Sequence, residues 1–147
     1  MHNQRLTERL TQTWTLACKN KQIPEYTQFN GAAIPDIWDN CLVLRIQPSA
    51  AGIAPKFQFH FVGDNVKSMF SKDPTGEYFI MGVKIFPTLR VLNKMLDILQ
   101  NPMPMYDEGK FVNDNSKVVK FRCVLVPFGT EGSAITYIAA GISWREF

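Results

Sequence analysis

Apolar and polar positions alternate between two rhythms along this chain, and the changes of rhythm mark its elements. Over residues 4–21, Leu6, Leu10, Trp14 and Ala17 recur at spacings of four, four and three, while Arg5, Glu8, Arg9, Gln12, Thr15 and Lys19 take the other side. That spacing predicts an amphipathic helix, ended by Pro24. A short helical turn is expected at 32–39, where Ile34, Ile37 and Trp38 are apolar. The period then drops to two. Leu42, Leu44 and Ile46 share one side of a strand at 41–47. Phe57, Phe59 and Phe61 line one side of a second strand at 56–62, with Gln58 and His60 opposite. Gly63 breaks this strand, and Asp64 is read as the N-cap of a short helix presenting Val66, Met69 and Phe70.

After a turn at 73–76 the helical rhythm returns. Ile85, Leu89, Leu92, Leu96 and Leu99 recur at four, three, four and three, with Pro87 in the first turn and Pro102 closing the helix. The last third reads as strand. A shorter strand and turn occupy 105–111, with Asp107 and Glu108 assigned to the turn; longer strands follow at 116–127 and 133–146, joined by a turn at 128–132. Three strands in succession with tight connections predict an antiparallel meander. The expected fold is α+β: a five-stranded antiparallel sheet with helices packed on one face, preceded by an N-terminal amphipathic helix. Residues 1–22 form that helix and 23–147 the main domain. The leading helix needs a partner of its own, either the other sheet face or a second chain.

Composition narrows the function. The chain has 147 residues, 46% of them hydrophobic, which suits one domain with a conventional core. Lys and Arg number 16 against 13 acids, a net charge of +3. The basic residues are scattered and no window is dense enough to track phosphates, so nucleic acid is not an expected partner. Cys18, Cys41 and Cys123 are odd in number and far apart, which argues against a disulfide framework and for a reducing compartment. No run is apolar enough to span a membrane and the N-terminus lacks a signal-type core, so a cytoplasmic protein is expected.

Three stretches in order carry a resemblance. The first is Phe59-His60-Phe61-Val62-Gly63-Asp64-Asn65-Val66 running on to Phe70. The second is Asp73-Pro74-Thr75-Gly76-Glu77-Tyr78. The third is Leu125-Val126-Pro127-Phe128-Gly129 with Ile138-Ala139-Ala140-Gly141-Ile142-Ser143-Trp144. Together they resemble PAS domains, in particular a small bacterial subfamily in which one such domain makes up nearly the whole protein. The resemblance runs from about residue 10 to the end. Glu77 departs from it, since many members carry a basic residue there. The resemblance implies a non-enzymatic sensor or interaction module in signal transduction or transcriptional control, dimeric, acting on a regulatory protein partner. It also sets the tests for cofactors. Haem-binding members use a histidine on the long helix, and 85–101 has none. Flavin photoreceptors carry an Asn-Cys-Arg-Phe-Leu-like motif, whereas Asn40-Cys41 is followed by Leu42 at the start of a strand. Neither haem nor flavin is expected. His60 is read as a surface or interface histidine, and two histidines with three scattered cysteines do not suggest a metal site.

The residues themselves offer two candidate sites. Phe59, Phe61, Phe70, Phe79, Leu92, Met95, Leu96, Phe121 and Cys123 could converge between sheet and long helix, as a filled core or as the lining of a pocket for a small apolar ligand. Leu6, Leu10 and Trp14 form a stripe suited either to the chain's own sheet or to a homodimer contact. Two other functions stay open: a small isomerase or hydrolase on a cone-like α+β fold, which requires polar groups inside the hollow, and a protein adaptor with a filled core.

Overall fold

The computed structural model describes residues 5–19, 21–29, 31–47, 55–70, 72–78, 88–113, 115–129 and 134–147. Helix α1 spans Leu6–Cys18 and stops where Lys19 turns into the left-handed region at φ 47°. Two 3-10 turns, Tyr26–Gln28 and Gly31–Ala33, lead into the short α2, Pro35–Trp38. Strands β1 (Cys41–Gln47) and β2 (Lys56–Val62) follow, then α3 (Asp64–Lys67), α4 (Thr88–Gln100), and the meander β3 (Met105–Val112), β4 (Val118–Gly129) and β5 (Ile135–Glu146). The five strands form one antiparallel sheet in the order β2-β1-β5-β4-β3. The last strand therefore sits in the middle, and β1 pairs with it directly, Leu42 opposite Ala140 and Leu44 opposite Ile138.

Residues opposite one another in register share a face. The inner face carries Leu42, Leu44, Ile138, Ile142, Cys123 and Phe121, all buried. Over it lie α3, whose following Phe70 meets the Phe59 ring edge-on at 5.5 Å, and α4, which packs on β4 and buries Met95 and Ile98 completely. The outer face carries Val43, Ala139, Gly141, Val124, Val126 and Phe128. Helix α1 lies across it. A Cβ on Gly141 would come within 2.7 Å of the Leu10 side chain, and the Trp14 indole N–H donates to the Pro127 carbonyl at 2.6 Å. Leu10 and Trp14 are thus buried in the chain's own sheet and belong to the same core as the strands. Of the two partners open to this helix, its own sheet face takes that stripe.

Several expectations are corrected. The strand at 56–62 does not keep simple alternation. Val43 faces Phe61 and Leu44 faces Phe59, so His60 is an extra residue, a bulge. Phe57, Phe59 and Val62 point inward, while Phe61 turns outward and stacks on Trp38 at 4.8 Å. Asp107 and Glu108 lie within β3, not in a turn, paired with Cys123 and Arg122. Phe128 and Gly129 extend β4, because Phe128 is claimed by the outer-face aromatic cluster, packing against Phe29 at 5.0 Å and Tyr26 at 5.5 Å. Gly63, not Asp64, is the N-cap of α3. The expected start of the long helix at 85–87 lies outside the described residues.

The edge strand β2 is covered. Asp73 Oδ1 accepts from the Thr75 amide at 3.0 Å and its hydroxyl at 2.6 Å, a tight turn completed by Gly76 at φ 89°. The chain then runs beside β2: Gly76 N–H donates to the Phe59 carbonyl and Phe59 N–H to the Glu77 carbonyl, with Tyr78 bridging to Gln58.

Candidate functional site

The inner face brings together part of the expected residue set. Phe59, Met95, Phe121 and Cys123 are buried together, with Phe70 and Leu96 partly buried against them. Phe61 does not join them, since the bulge sends it to the other face. Phe79 and the side chain of Leu92 lie outside the described residues. Sequence reasoning missed one member. Asp107 sits opposite Cys123 on the inward side of β3 and is 6% exposed, with its Oδ1 accepting from the Glu108 amide at 2.9 Å. The signal was the strand parity of Met105, Asp107 and Gly109, which a reading of Asp-Glu as turn residues overrides. Burial in this apolar setting makes a carboxylate costly unless it is bonded.

Two of the cysteines are poor nucleophiles. Cys18, Cys41 and Cys123 are all buried. Burial raises the Cys18 thiol and pushes Cys41 up to about 12. The reactive thiolate of these two is thereby suppressed at neutral pH. Cys41 instead donates to the Ile37 carbonyl at 3.3 Å, at the start of β1. Among the described residues no three of His, Cys, Asp and Glu are grouped to hold a metal ion. His60 packs edge-on between Tyr26 at 5.7 Å and Tyr137 at 5.2 Å, on the outer face, away from the inner-face cluster.

The outer face holds a second region. Past the first turn of α1, toward the far ends of β4 and β5, register aligns the outer-face side chains in rows. Glu108, Arg122 and Ser143 form one row; Lys110, Lys120 and Arg145 form the next. Between the rows the chain of Gly109, Phe121 and Trp144 makes the floor of a trough of about 760 Å³. Arg122 Nε pairs with Glu108 Oε2 at 3.2 Å, and the same oxygen accepts from the Tyr106 hydroxyl at 3.2 Å. The Tyr106 pKa is raised, first by partial burial and then by that bond to Glu108. A second groove of about 730 Å³ continues between α1 and β3, lined by Arg5, Glu8, Thr11, Gln12, Pro104 and Tyr106 among others. Sequence reasoning read these cations as scattered, because the neighbours lie on different strands.

No family model matches the chain, and no curated protein matches it. No helix among the described residues is long and apolar enough to cross a membrane.

Proposed function

We propose that the chain is a PAS-like sensor and interaction module of the kind bacteria use in signal transduction or transcriptional control, holding a small apolar or amphipathic ligand between the sheet and α4 and presenting its state to a regulatory protein. The observation that carries this reading is the arrangement β2-β1-β5-β4-β3 with α3 and α4 inserted between its two strand groups and an aromatic, Met- and Cys-bearing inner face beneath them. Ligand occupancy acts by favouring one of two states of that roof, and only a difference in affinity between them can do so.

Native mass spectrometry of purified protein, with solvent extraction, tests it. The expected result is a co-purifying small molecule that Cys123→Trp or Met95→Trp expels while the protein stays folded. A ligand-free protein whose stability is unchanged by added apolar probes rejects the sensor reading and favours the filled-core adaptor. Asp107 is the one observation that favours an enzyme, an isomerase or hydrolase in the hollow, because an interior acid can serve as one half of a general acid–base pair. If the extracted molecule is recovered unchanged after incubation with wild type and with Asp107→Asn alike, binding is supported. Conversion by wild type alone moves the assignment to the enzyme.

A further inference from the structure

The trough on the outer face is a charge arrangement that the sheet itself does not account for. Lys110, Lys120 and Arg145 face one another directly across three adjacent strands. Like charges opposed at that spacing, about 5 Å between strands, work against pairing. The acid in the trough, Glu108, is committed to Arg122 and Tyr106. No described acid reaches Lys110, Lys120 or Arg145. Lys120 instead lies 4.7 Å above the Phe147 ring. The next row outward is apolar: Val112 and Phe147 are 66% and 59% exposed, with Val118 between them. A row of cations thus runs parallel to a row of exposed apolar side chains, two residues apart along each strand.

We propose that this face docks an acidic amphipathic segment of a partner protein, its carboxylates on Lys110, Lys120 and Arg145 and its apolar side on Val112, Val118 and Phe147. The chemistry selects this occupant over others. A nucleic acid would meet Glu108 and the apolar row, and a net charge of +3 gives it little beyond this one row. A small phosphate would engage only the cation row and would leave the parallel row of exposed apolar side chains unused. A second copy docked symmetrically would set the cation row against itself. The trough lies on the opposite face from the Phe59, Met95 and Cys123 cluster, so the proposal does not depend on an interior ligand.

The test is fluorescence anisotropy of the full chain with a labelled synthetic peptide of Glu, Leu and Ala, about four helical turns long, acids on one face and leucines beside them. A peptide with Gln for every Glu and a single-stranded DNA oligonucleotide are the controls. The expected result is binding of the Glu peptide alone. Lys120→Glu and Arg145→Glu should each weaken it about tenfold or more, Val112→Ser and Phe147→Ser should weaken it several-fold, and binding should fall as salt rises from about 50 to about 300 mM. Thermal melts accompany every variant, and Lys120→Gln and Arg145→Gln replace any charge reversal that fails to fold. The proposal is overturned by absence of peptide binding, by equal binding to wild type and the Lys120 and Arg145 variants, by tighter binding of the DNA, or by sedimentation showing self-association through the same residues.

Discussion

Two glycines show how the same residue type is held by different neighbours. A Cβ at Gly63 would meet the Asp39 carbonyl oxygen at 2.4 Å and its carbon at 2.6 Å, both backbone atoms. The Asp39 oxygen already accepts from the Asn65 amide at 3.0 Å, so the junction between α2, β1 and α3 cannot yield without losing bonds. Gly63→Ala is expected to cost about 2 kcal/mol or more in urea unfolding. At Gly141 the added atom meets the ends of the Leu10 and Leu6 side chains, which can turn. Gly141→Ala is expected to cost about 1 kcal/mol or less, by the same measurement. Trp14 tests a bond as well as a volume. Trp14→Phe keeps much of the packing but leaves the Pro127 carbonyl without its donor, a loss of about 1–3 kcal/mol. Trp14→Ala adds a cavity and should cost about 3–5 kcal/mol.

At the scale of elements, α1 is fastened to α2 as well as to the sheet. The Arg9 guanidinium grips Asp36 with two hydrogen bonds, the Nη2–Oδ1 one at 2.9 Å. That bond holds the Asp36 carboxyl below its ordinary 3.8. A carboxyl depressed in the folded state adds stability above its unfolded pKa, and the contribution is lost as pH falls through the folded value. Thermal melts of wild type and Asp36→Asn should therefore differ by a constant amount above about pH 5, wild type higher, and converge in strong acid. High salt should shrink the gap, since the pair is exposed.

The same scale shows what could be read from the chain. The strands at 41–47 and 56–62 have the observed bounds, and Leu89, Leu96 and Leu99 mark a helix that is present. These were legible because periodicity is a local property of burial. Phe61 was not, since a bulge at His60 is a property of the pairing between β1 and β2. Asp107 was misplaced because its polarity suggests a turn, while tertiary packing puts it inside. The trough was invisible for a related reason. Lys110, Lys120 and Arg145 become neighbours only through register across β3, β4 and β5, and no window of consecutive residues can show it.

Over the whole molecule, the sheet is a single layer with a cover on each side. The outer cover is α1 with the segment through α2, and it hides Val124, Val126, Ala139 and Gly141. Removing residues 1–20 should do more than alter any oligomer. It uncovers a broad apolar face, so a lowered melting temperature and aggregation in light scattering are expected. A deletion that stays monomeric and melts like the full chain would mean that α1 contributes little to the cover.

The strand order also governs how the chain can be made. Of the five strands, β5 is the last synthesised, yet it lies between β1 and β4 and joins the two halves of the sheet. While the ribosome is still adding it, the β1–β2 pair and the β3–β4 pair have no common spine, and α1 has only part of its bed. Such long-range closure is slow, and the nascent chain spends that interval with its greasy surfaces open to chaperones and proteases.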